Sequence, residues 1–336
     1  MSLFSRIIGQ RAAKEQIRSL LRGRPRQVYL IAGPEGIGKR MFASAMAKTV
    51  LCANPDENGD CGICGPCRYF EAGTHPDYIR LSPQPAEKNI RVSQVRDKIV
   101  SDVHLFPQIS GRKAYLIEAD FLNEEGQNAL LKTLEEPPES VIFLLTVTDT
   151  DKLLETIRSR SVTISLVPNT EDEILRILSE QTEADENEAR MIASVSKGIP
   201  GSALRLTGDG SFSGIRETVS ELLNDMPVIG YSELLSDRYS FFEDNKDRIG
   251  EVLTVFEMGL GDVAMLLFDP DHSSLRVVDK RDNIIRTIQR EKISGGSVDR
   301  ASAAVTAASR AIASNYSFES AVCTMLLSVH KEFQHG

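Results

Sequence analysis

A glycine-rich turn between an apolar strand and a helix constrains the fold of this chain more than any other feature. Residues 33–40 read GPEGIGKR; the β-rich run QVYLIAG (27–33) precedes them and the helical pattern MFASAMAKTVL (41–51) follows. In this context Gly-x4-Gly-Lys predicts a phosphate-binding loop, because glycines permit a tight turn whose backbone N–H groups face an anion. The candidate phosphate-binding residues are Gly33, Gly36, Gly38 and Lys39.

Further β-rich runs alternate with helical patterns through the first 166 residues. The other predicted strands are DYIRL (77–81), KAYLIEA (113–119), VIFLLTV (141–147) and VTISL (162–166). Helical patterns cover residues 92–103 and 123–136. This alternation predicts an α/β domain in which helices cover a parallel sheet.

The character of the sequence changes after Pro168. Thr170 and Glu173 form a predicted capping box at the start of a helix, and no convincing strand follows. Apolar residues recur at helical spacing from Ile249 to Leu267 and again from Phe318 to Val329. The second half of the chain is therefore predicted to be all-α.

The positions that would bind Mg²⁺ beside such a loop carry unsuitable side chains. Arg40 stands where a Ser or Thr hydroxyl normally coordinates the ion, and the strand YLIEAD (115–120) places Glu118 and Ala119 where an ATPase needs Asp-Glu. Glu118 could still contact a metal, but Ala119 offers no base. Asp120 is displaced by about 6–7 Å along the strand. We expect this site to be catalytically silent.

Four of the five cysteines lie within residues 52–67, as Cys52-x8-Cys61-x2-Cys64-x2-Cys67. A reducing cytosol disfavours disulfides, and four thiolates suit tetrahedral zinc in a closed, structural site. An iron–sulfur cluster is the alternative, because C-x2-C-x2-C also opens the bacterial ferredoxin pattern. The downstream Cys-Pro of that pattern is absent here, which favours zinc.

Length and charge limit the function classes that the chain can serve. Its 336 residues predict two or three domains. The net charge of −9 argues against a protein that binds DNA alone, since neutralisation of phosphates by Lys and Arg supplies most non-specific affinity. No run approaches the ~20 apolar residues that span a bilayer. Without a signal-peptide core at the N-terminus, we expect a cytoplasmic protein with no membrane partner.

Several short motifs together resemble one protein family. They are IIGQ (7–10), GPEGIGKR (33–40), the cysteine cluster, HPD (75–77), NALLKTLEEPP (128–138) and TIRSRS (156–161). In this order they resemble the delta-prime family of bacterial DNA polymerase III clamp-loader subunits, within the AAA+ superfamily. The resemblance covers most of residues 1–165, and NALLKTLEEPP is its most specific part.

The resemblance implies a chain of three parts. An AAA+ nucleotide-binding-type domain would cover residues 1–166 and carry the zinc module at about 52–67. A small helical lid would cover 167–206, and an all-α collar that oligomerises would cover 212–336.

The resemblance also assigns roles to single residues. Arg160, in TIRSRS, matches the arginine finger that stabilises charge on a triphosphate bound by the neighbouring subunit, and Arg158 is its local competitor. Thr148 matches a sensor position, whereas Gly201 stands where the lid normally presents a sensing arginine. Arg96 matches a position that faces DNA, with a solvated arginine as the alternative reading.

The partners that the resemblance implies are clamp-loader ATPase subunits, a clamp-opening delta-type subunit and, through the complex, primed DNA. The chain itself would then be a non-hydrolysing structural subunit, without ATPase or polymerase activity of its own. One alternative is an active ATPase motor subunit of the same machine, and another is a DNA-binding protein that acts alone. Two possibilities for the phosphate loop also remain open: ATP or ADP binding without normal Mg²⁺ coordination, and an Arg40 that folds across the pocket.

Overall fold

A computed structural model of the protein describes residues 3–22, 26–85, 87–207, 211–272, 275–278, 280–314 and 316–334. The chain divides into two compact units. The first comprises Met1–Glu183 and Lys197–Ala203, and the second comprises Ala184–Ser196 and Leu204–Gly336. The division into three parts stays a prediction.

Five parallel strands form the sheet of the first unit. They are β1 (Val28–Ala32), β2 (Tyr78–Leu81), β3 (Lys113–Glu118), β4 (Val141–Val147) and β5 (Val162–Ser165). The strand order is β2-β3-β4-β1-β5, and every neighbouring pair is parallel. All five predicted strands are confirmed, and so is the parallel sheet. Because the strands are parallel, the glycine-rich turn after β1, Glu118 at the end of β3 and Thr148 after β4 lie at the same edge.

Sixteen α-helices lie in the described part of the chain. In chain order they are α1 (Arg11–Arg22), α2 (Lys39–Leu51), α3 (Gly65–Glu71), α4 (Val92–Val95), α5 (Glu124–Glu135), α6 (Glu155–Arg160), α7 (Glu171–Gln181), α8 (Glu186–Val195), α9 (Pro200–Leu206), α10 (Ser211–Asp225), α11 (Tyr231–Glu233), α12 (Tyr239–Asp244), α13 (Ile249–Phe268), α14 (Arg281–Glu291), α15 (Gly295–Ala313) and α16 (Phe318–Gln334). Short 3-10 turns cover Leu3–Arg6, Ala119–Phe121, Thr150–Lys152 and Lys246–Arg248, and π-helical turns cover Arg96–Val100 and Leu234–Arg238.

The sheet separates two apolar cores because successive side chains of a strand point to opposite faces. In β1, Leu30 belongs to a core with Leu130 of α5 and Ile157 of α6, whereas Ile31 belongs to a core with Phe42 of α2 and Ile17 of α1. Each of these six side chains is at most 1% exposed. Burial on both faces explains why the three inner strands, β1, β3 and β4, are largely apolar runs.

The second unit is a helical assembly in which α15 packs along α16 and α13 contacts both α10 and α15. A Cβ placed on Gly259 of α13 would lie 2.4 Å from Leu223 of α10, so the glycine permits the close approach of these helices. No strand occurs in the residues that the structure describes here, as predicted.

Two local expectations need correction. The helical pattern at 92–103 is an α-helix only as far as Val95 and continues as a π-helical turn, where the Ser101 N–H donates to the carbonyl of Arg96. The composition of TGDGSFSG (207–214) predicts a loose linker, but helix α10 begins at Ser211. Residues 208–210 lie outside the described residues.

Within the described ranges, none of the helices combines the length and the apolar character that crossing a membrane requires.

Candidate functional site

The predicted phosphate loop has the backbone of a tight turn after β1. Gly36 and Gly38 have φ angles of +76° and +97°, and Gly38 precedes the first residue of α2. Residues with a Cβ rarely adopt these angles. The glycines therefore serve the turn as predicted, and the loop lies at the N-terminus of a 13-residue helix.

Lys39 is directed at its own loop. Its Nζ donates to the carbonyl of Gly33 at 2.8 Å and to that of Pro34 at 3.0 Å. Burial lowers the pKa of Lys39, and the acidic groups of Asp120 and Glu35 partly offset this effect. The ammonium that was expected to bind phosphate thus has two protein partners already.

Two arginines flank Glu118, the carboxylate that was considered as a metal ligand. Glu118 is 6% exposed, and its Oε1 accepts hydrogen bonds from Nη2 and Nε of Arg80 at 2.6 and 3.2 Å. Nη1 of Arg40 lies 3.6 Å from the other oxygen, Oε2. Both donors of Arg80 converge on one oxygen, and the charge of Arg40 lies beside the other. Arg40 is thus directed toward the metal side of the site, and Glu118 already has two cationic partners there.

The predicted sensor residue is also engaged. Asp120 accepts hydrogen bonds from the Thr148 hydroxyl at 2.6 Å and from the Thr148 N–H at 2.9 and 3.0 Å. Sequence reasoning treated Asp120 only as a displaced metal ligand and missed this contact. The signal was an acidic residue at the carboxyl end of β3 opposite a hydroxyl at the carboxyl end of β4.

Gly201 lies directly on the phosphate loop. Its N–H donates to the carbonyl of Gly36 at 2.9 Å. A Cβ at Gly201 would lie 2.9 Å from both Cα and the carbonyl oxygen of Gly36, and one at Gly36 would lie 2.9 Å from Ile199. The backbone at 199–201 therefore covers the loop at Gly36. An arginine at position 201 would not fit without a shift of the chain.

The two arginines of TIRSRS lie in the short helix α6, and both have acidic partners. Nη2 of Arg160 lies 2.9 Å from Oε1 of Glu135, and its Nη1 donates to the carbonyl of Thr156 at 3.0 Å. Arg158 pairs with Asp151 at 2.6 Å. The side chains of Arg160 and Arg158 are 39% and 38% exposed, so both are accessible to another chain.

The four predicted metal ligands come together. One Sγ from each of Cys52, Cys61, Cys64 and Cys67 lies within 4.8 Å of every other. Hydrogen bonds from the backbone N–H groups of Ile63 and Cys64 lower the pKa of Cys61 to about 6, whereas burial raises the pKa of Cys52 and Cys67. A single divalent cation would relieve the repulsion of four thiolates at this spacing. The donor set is that of a closed structural site and fits zinc.

A buried ion pair joins this metal-binding module to helix α2. Lys48 and Asp60 have side chains that are 1% and 0% exposed, and Nζ lies 2.9 Å from Oδ2. Glu71 of α3 is a second acidic partner at 2.5 Å. Sequence reasoning missed this contact, although a lysine within the apolar helix MFASAMAKTVL was its signal.

The HPD motif organises a loop. Asp77 is fully buried and accepts hydrogen bonds from the N–H groups of Gln108, Ile109 and Ser110 at 2.6, 2.9 and 2.8 Å. Nδ1 of His75 accepts from the Asp77 N–H at 3.1 Å, and Nε2 lies 3.1 Å from the Ser110 hydroxyl. The motif is structural and lies apart from the nucleotide-binding turn.

Arg96 is exposed at the start of the π-helical turn and is not among the residues gathered at the phosphate loop. Its predicted contact with DNA stays a prediction.

Comparisons with known proteins find subunits of DNA polymerase III. Residues 9–170 match the model of the family described as DNA polymerase III, delta subunit. The chain is 49% identical to the DNA polymerase III subunit delta' of Pseudomonas aeruginosa over 135 residues, which are 40% of this chain and 41% of that protein. It is 32% identical to the Escherichia coli subunit delta' over 225 residues, 67% of this chain and 65% of that protein.

A tau subunit and a gamma-subunit-related protein also match. The DNA polymerase III subunit tau of Escherichia coli is 33% identical over 254 residues, 73% of this chain and 39% of that protein. The solved structure of a gamma-subunit-related protein from Thermotoga maritima covers 96% of this chain and 99% of its own, with 16% identity and a TM-score of 0.43, too low to establish a shared fold.

The chain thus spans less than two thirds of the length of each of these curated relatives. The match to the family model contains the phosphate loop, the cysteine cluster and TIRSRS, and two delta' subunits are among the curated relatives. The N-terminal part of this chain, residues 9–170, belongs to the DNA polymerase III delta-subunit family.

Proposed function

We propose that this chain is a clamp-loader subunit of DNA polymerase III that hydrolyses no nucleotide itself and lends Arg160 to a neighbouring ATPase subunit. The observation that carries the first half is the pairing of Glu118 with Arg80 and Arg40. In an ATPase this carboxylate belongs to the Mg²⁺ shell, and the ion neutralises charge on the γ-phosphate. Here the carboxylate pairs with two guanidinium groups instead of an ion, and Ala119 supplies no base.

The contacts of Lys39, Thr148 and Gly201 also support a site that hydrolyses no nucleotide. The side chains of Lys39 and Thr148 are hydrogen-bonded within the protein, and the N–H of Gly201 is bonded to the loop. Arg160 also has protein partners, but its side chain is 39% exposed near the end of a helix and can reach another chain. An arginine supplied in trans raises the rate of phosphoryl transfer by about 10³–10⁵ in other systems. The asymmetry suits a subunit that acts on its neighbour.

The partners of this role are ATPase subunits of the tau and gamma type and a delta-type subunit that opens the clamp, with primed DNA held by the complex. Cys52, Cys61, Cys64 and Cys67 would hold zinc, which stabilises the module at 52–67 and supplies no chemistry. The helical second unit would form the oligomer, and the location would be the cytoplasm.

Reconstitution with the tau- or gamma-type and delta-type subunits of the same organism tests the proposal. We expect the isolated chain to show no ATPase activity, and the complex with Arg160→Ala to lose at least ten-fold in DNA-stimulated ATPase rate. Arg158→Ala is the matched control, and the complex should retain most of its rate. Steady ATP hydrolysis by the isolated chain, or full activity of the Arg160→Ala complex, would refute the proposal.

The alternative is an active motor subunit, favoured by the similarity to subunit tau over 73% of this chain. That function requires hydrolysis by the isolated chain that Lys39→Ala abolishes. The same ATPase assay therefore separates the two functions.

A further inference from the structure

Helix α6, which carries Arg160, is held at its start by a buried side chain of α5. Gln127 is 5% exposed. Its Oε1 accepts from the Leu154 N–H, one residue before α6, at 2.9 Å, and its Nε2 donates to the carbonyl of Lys152 at 3.1 Å. The first turn of α6 is thus fixed to α5 by polar contacts as well as by apolar packing.

Helix α5 also contacts the side chain of Arg160, at the other end of α6. Glu135 is the last residue of α5, and its Oε1 lies 2.9 Å from Nη2 of Arg160. A carboxylate in the last turn of a helix is unfavourable beside the negative end of the helix dipole. Glu135 therefore does not serve the stability of α5 itself, and its partner is the guanidinium of α6.

The contact leaves Arg160 able to bind an anion. A guanidinium has five N–H donors in a planar fork. One bonds to Glu135 and one to the carbonyl of Thr156, so three remain on a side chain that is 39% exposed. Two fixed contacts restrict the many rotamers of a free arginine and orient the remaining donors.

We propose that Glu135 is a positioning residue for Arg160, holding the guanidinium ready for a triphosphate bound by a neighbouring subunit. This inference rests on the proposed function. Prior orientation of a group that acts in the transition state lowers the barrier without changing how tightly the substrate binds. Loss of Glu135 should therefore reduce kcat and leave the KM for ATP unchanged, since the neighbour's own phosphate loop binds the nucleotide.

The test is the DNA-stimulated ATPase rate of the full complex with variants at position 135. We expect Glu135→Ala to lower kcat about five-fold, the rate equivalent of one exposed ion pair, with an unchanged KM for ATP. Glu135→Gln should retain most of the rate, because its amide oxygen still accepts from Arg160. Glu136→Ala is the matched control, since Glu136 is exposed and adjacent, and should behave as wild type.

A second comparison separates this inference from the proposed function. In an Arg160→Ala background, Glu135→Ala should have no further effect. If Arg160→Ala itself left the rate unchanged, the proposed function would fail. If Arg160→Ala slowed the complex but Glu135→Ala left kcat unchanged, raised it, changed KM alone or slowed the Arg160→Ala complex further, the positioning role would be overturned.

Discussion

Nη2 of Arg80 lies 2.6 Å from Oε1 of Glu118, on the adjacent strand of the sheet. This contact involves the carboxylate of the metal site and leaves the glycine turn unaffected. The glycines still shape the turn between β1 and α2, whereas the carboxylate that would complete a metal site has become part of an arginine–carboxylate network. On the proposed function, the loop is retained for the turn that it shapes and carries out no hydrolysis.

The first prediction concerns Mg²⁺. A fluorescent ATP analogue titrated into the isolated chain should bind no more tightly with Mg²⁺ than with excess EDTA. The reason is that the carboxylate of Glu118 is paired with Arg80 and Arg40. Arg40→Thr, which restores the hydroxyl, should also show no gain, since Arg80 keeps its contact. A ten-fold or larger gain in affinity with Mg²⁺ for the wild-type chain would contradict this account.

The second prediction concerns the glycine that covers the loop. Gly201→Ala should lower the free energy of unfolding of the first unit by about 1–3 kcal/mol, because its Cβ would press on the backbone of Gly36 at 2.9 Å. Gly214→Ala is the control: position 214 lies in α10 with open space around it, and alanine there should stabilise by about 0.5–1 kcal/mol. Urea unfolding measures both, and equal effects would show that the loop is not tightly covered.

Much of the fold was predictable, because the inner strands are apolar runs and all five strands are bounded by turns and helices. The cysteine cluster was predictable from its spacing. The side-chain pairs were harder, since Arg80 and Glu118 are 38 residues apart and meet only through the register of β2 and β3. Neither periodicity nor composition encodes that register. The π-helical turn at 96–100 likewise had no signal in the apolar pattern, which α-helical and π-helical turns share.

The third prediction concerns the buried pair of Lys48 and Asp60. Lys48→Met should reduce the free energy of unfolding by about 3–5 kcal/mol, because it leaves the carboxylate of Asp60 buried without its cation. Adding Asp60→Asn removes the orphaned charge and should recover part of the loss. Lys132→Met, at an exposed position of α5, should change stability by less than about 0.5 kcal/mol. A loss at Lys48 no greater than at Lys132 would rule out a stabilising pair.

The fourth prediction concerns the metal. Elemental analysis of the purified chain should find about one zinc per molecule, and Cys64→Ser should bind much less. Chelation should lower the melting temperature, since bound metal contributes folding free energy. Visible charge-transfer absorption with stoichiometric iron would show that the site holds an iron–sulfur cluster instead of zinc. A metal content that did not change with Cys64→Ser would show that the four cysteines are not the metal site.

The fifth prediction is a pH dependence that originates at His75. Burial lowers the pKa of His75 from its ordinary value of 6.5, and the charge of Asp77 offsets this only in part. The geometry agrees, because Nδ1 accepts a hydrogen bond from the Asp77 N–H and so carries no proton. Below pH 6.5 the unfolded chain therefore binds a proton that the folded chain does not, and stability must fall as the pH falls through this window.

The free energy of unfolding at pH 7.5 and at pH 5.5 measures this effect. We expect the wild type to lose up to about 1 kcal/mol more than His75→Gln between the two values, since one pH unit of one group's titration is worth about 1.4 kcal/mol at most. His104→Gln, at an exposed histidine, should keep the wild-type pH dependence. If His75→Gln lost as much stability on acidification as the wild type, the buried imidazole would not be its source. The stability of the loop that Asp77 holds would then not depend on the charge of His75.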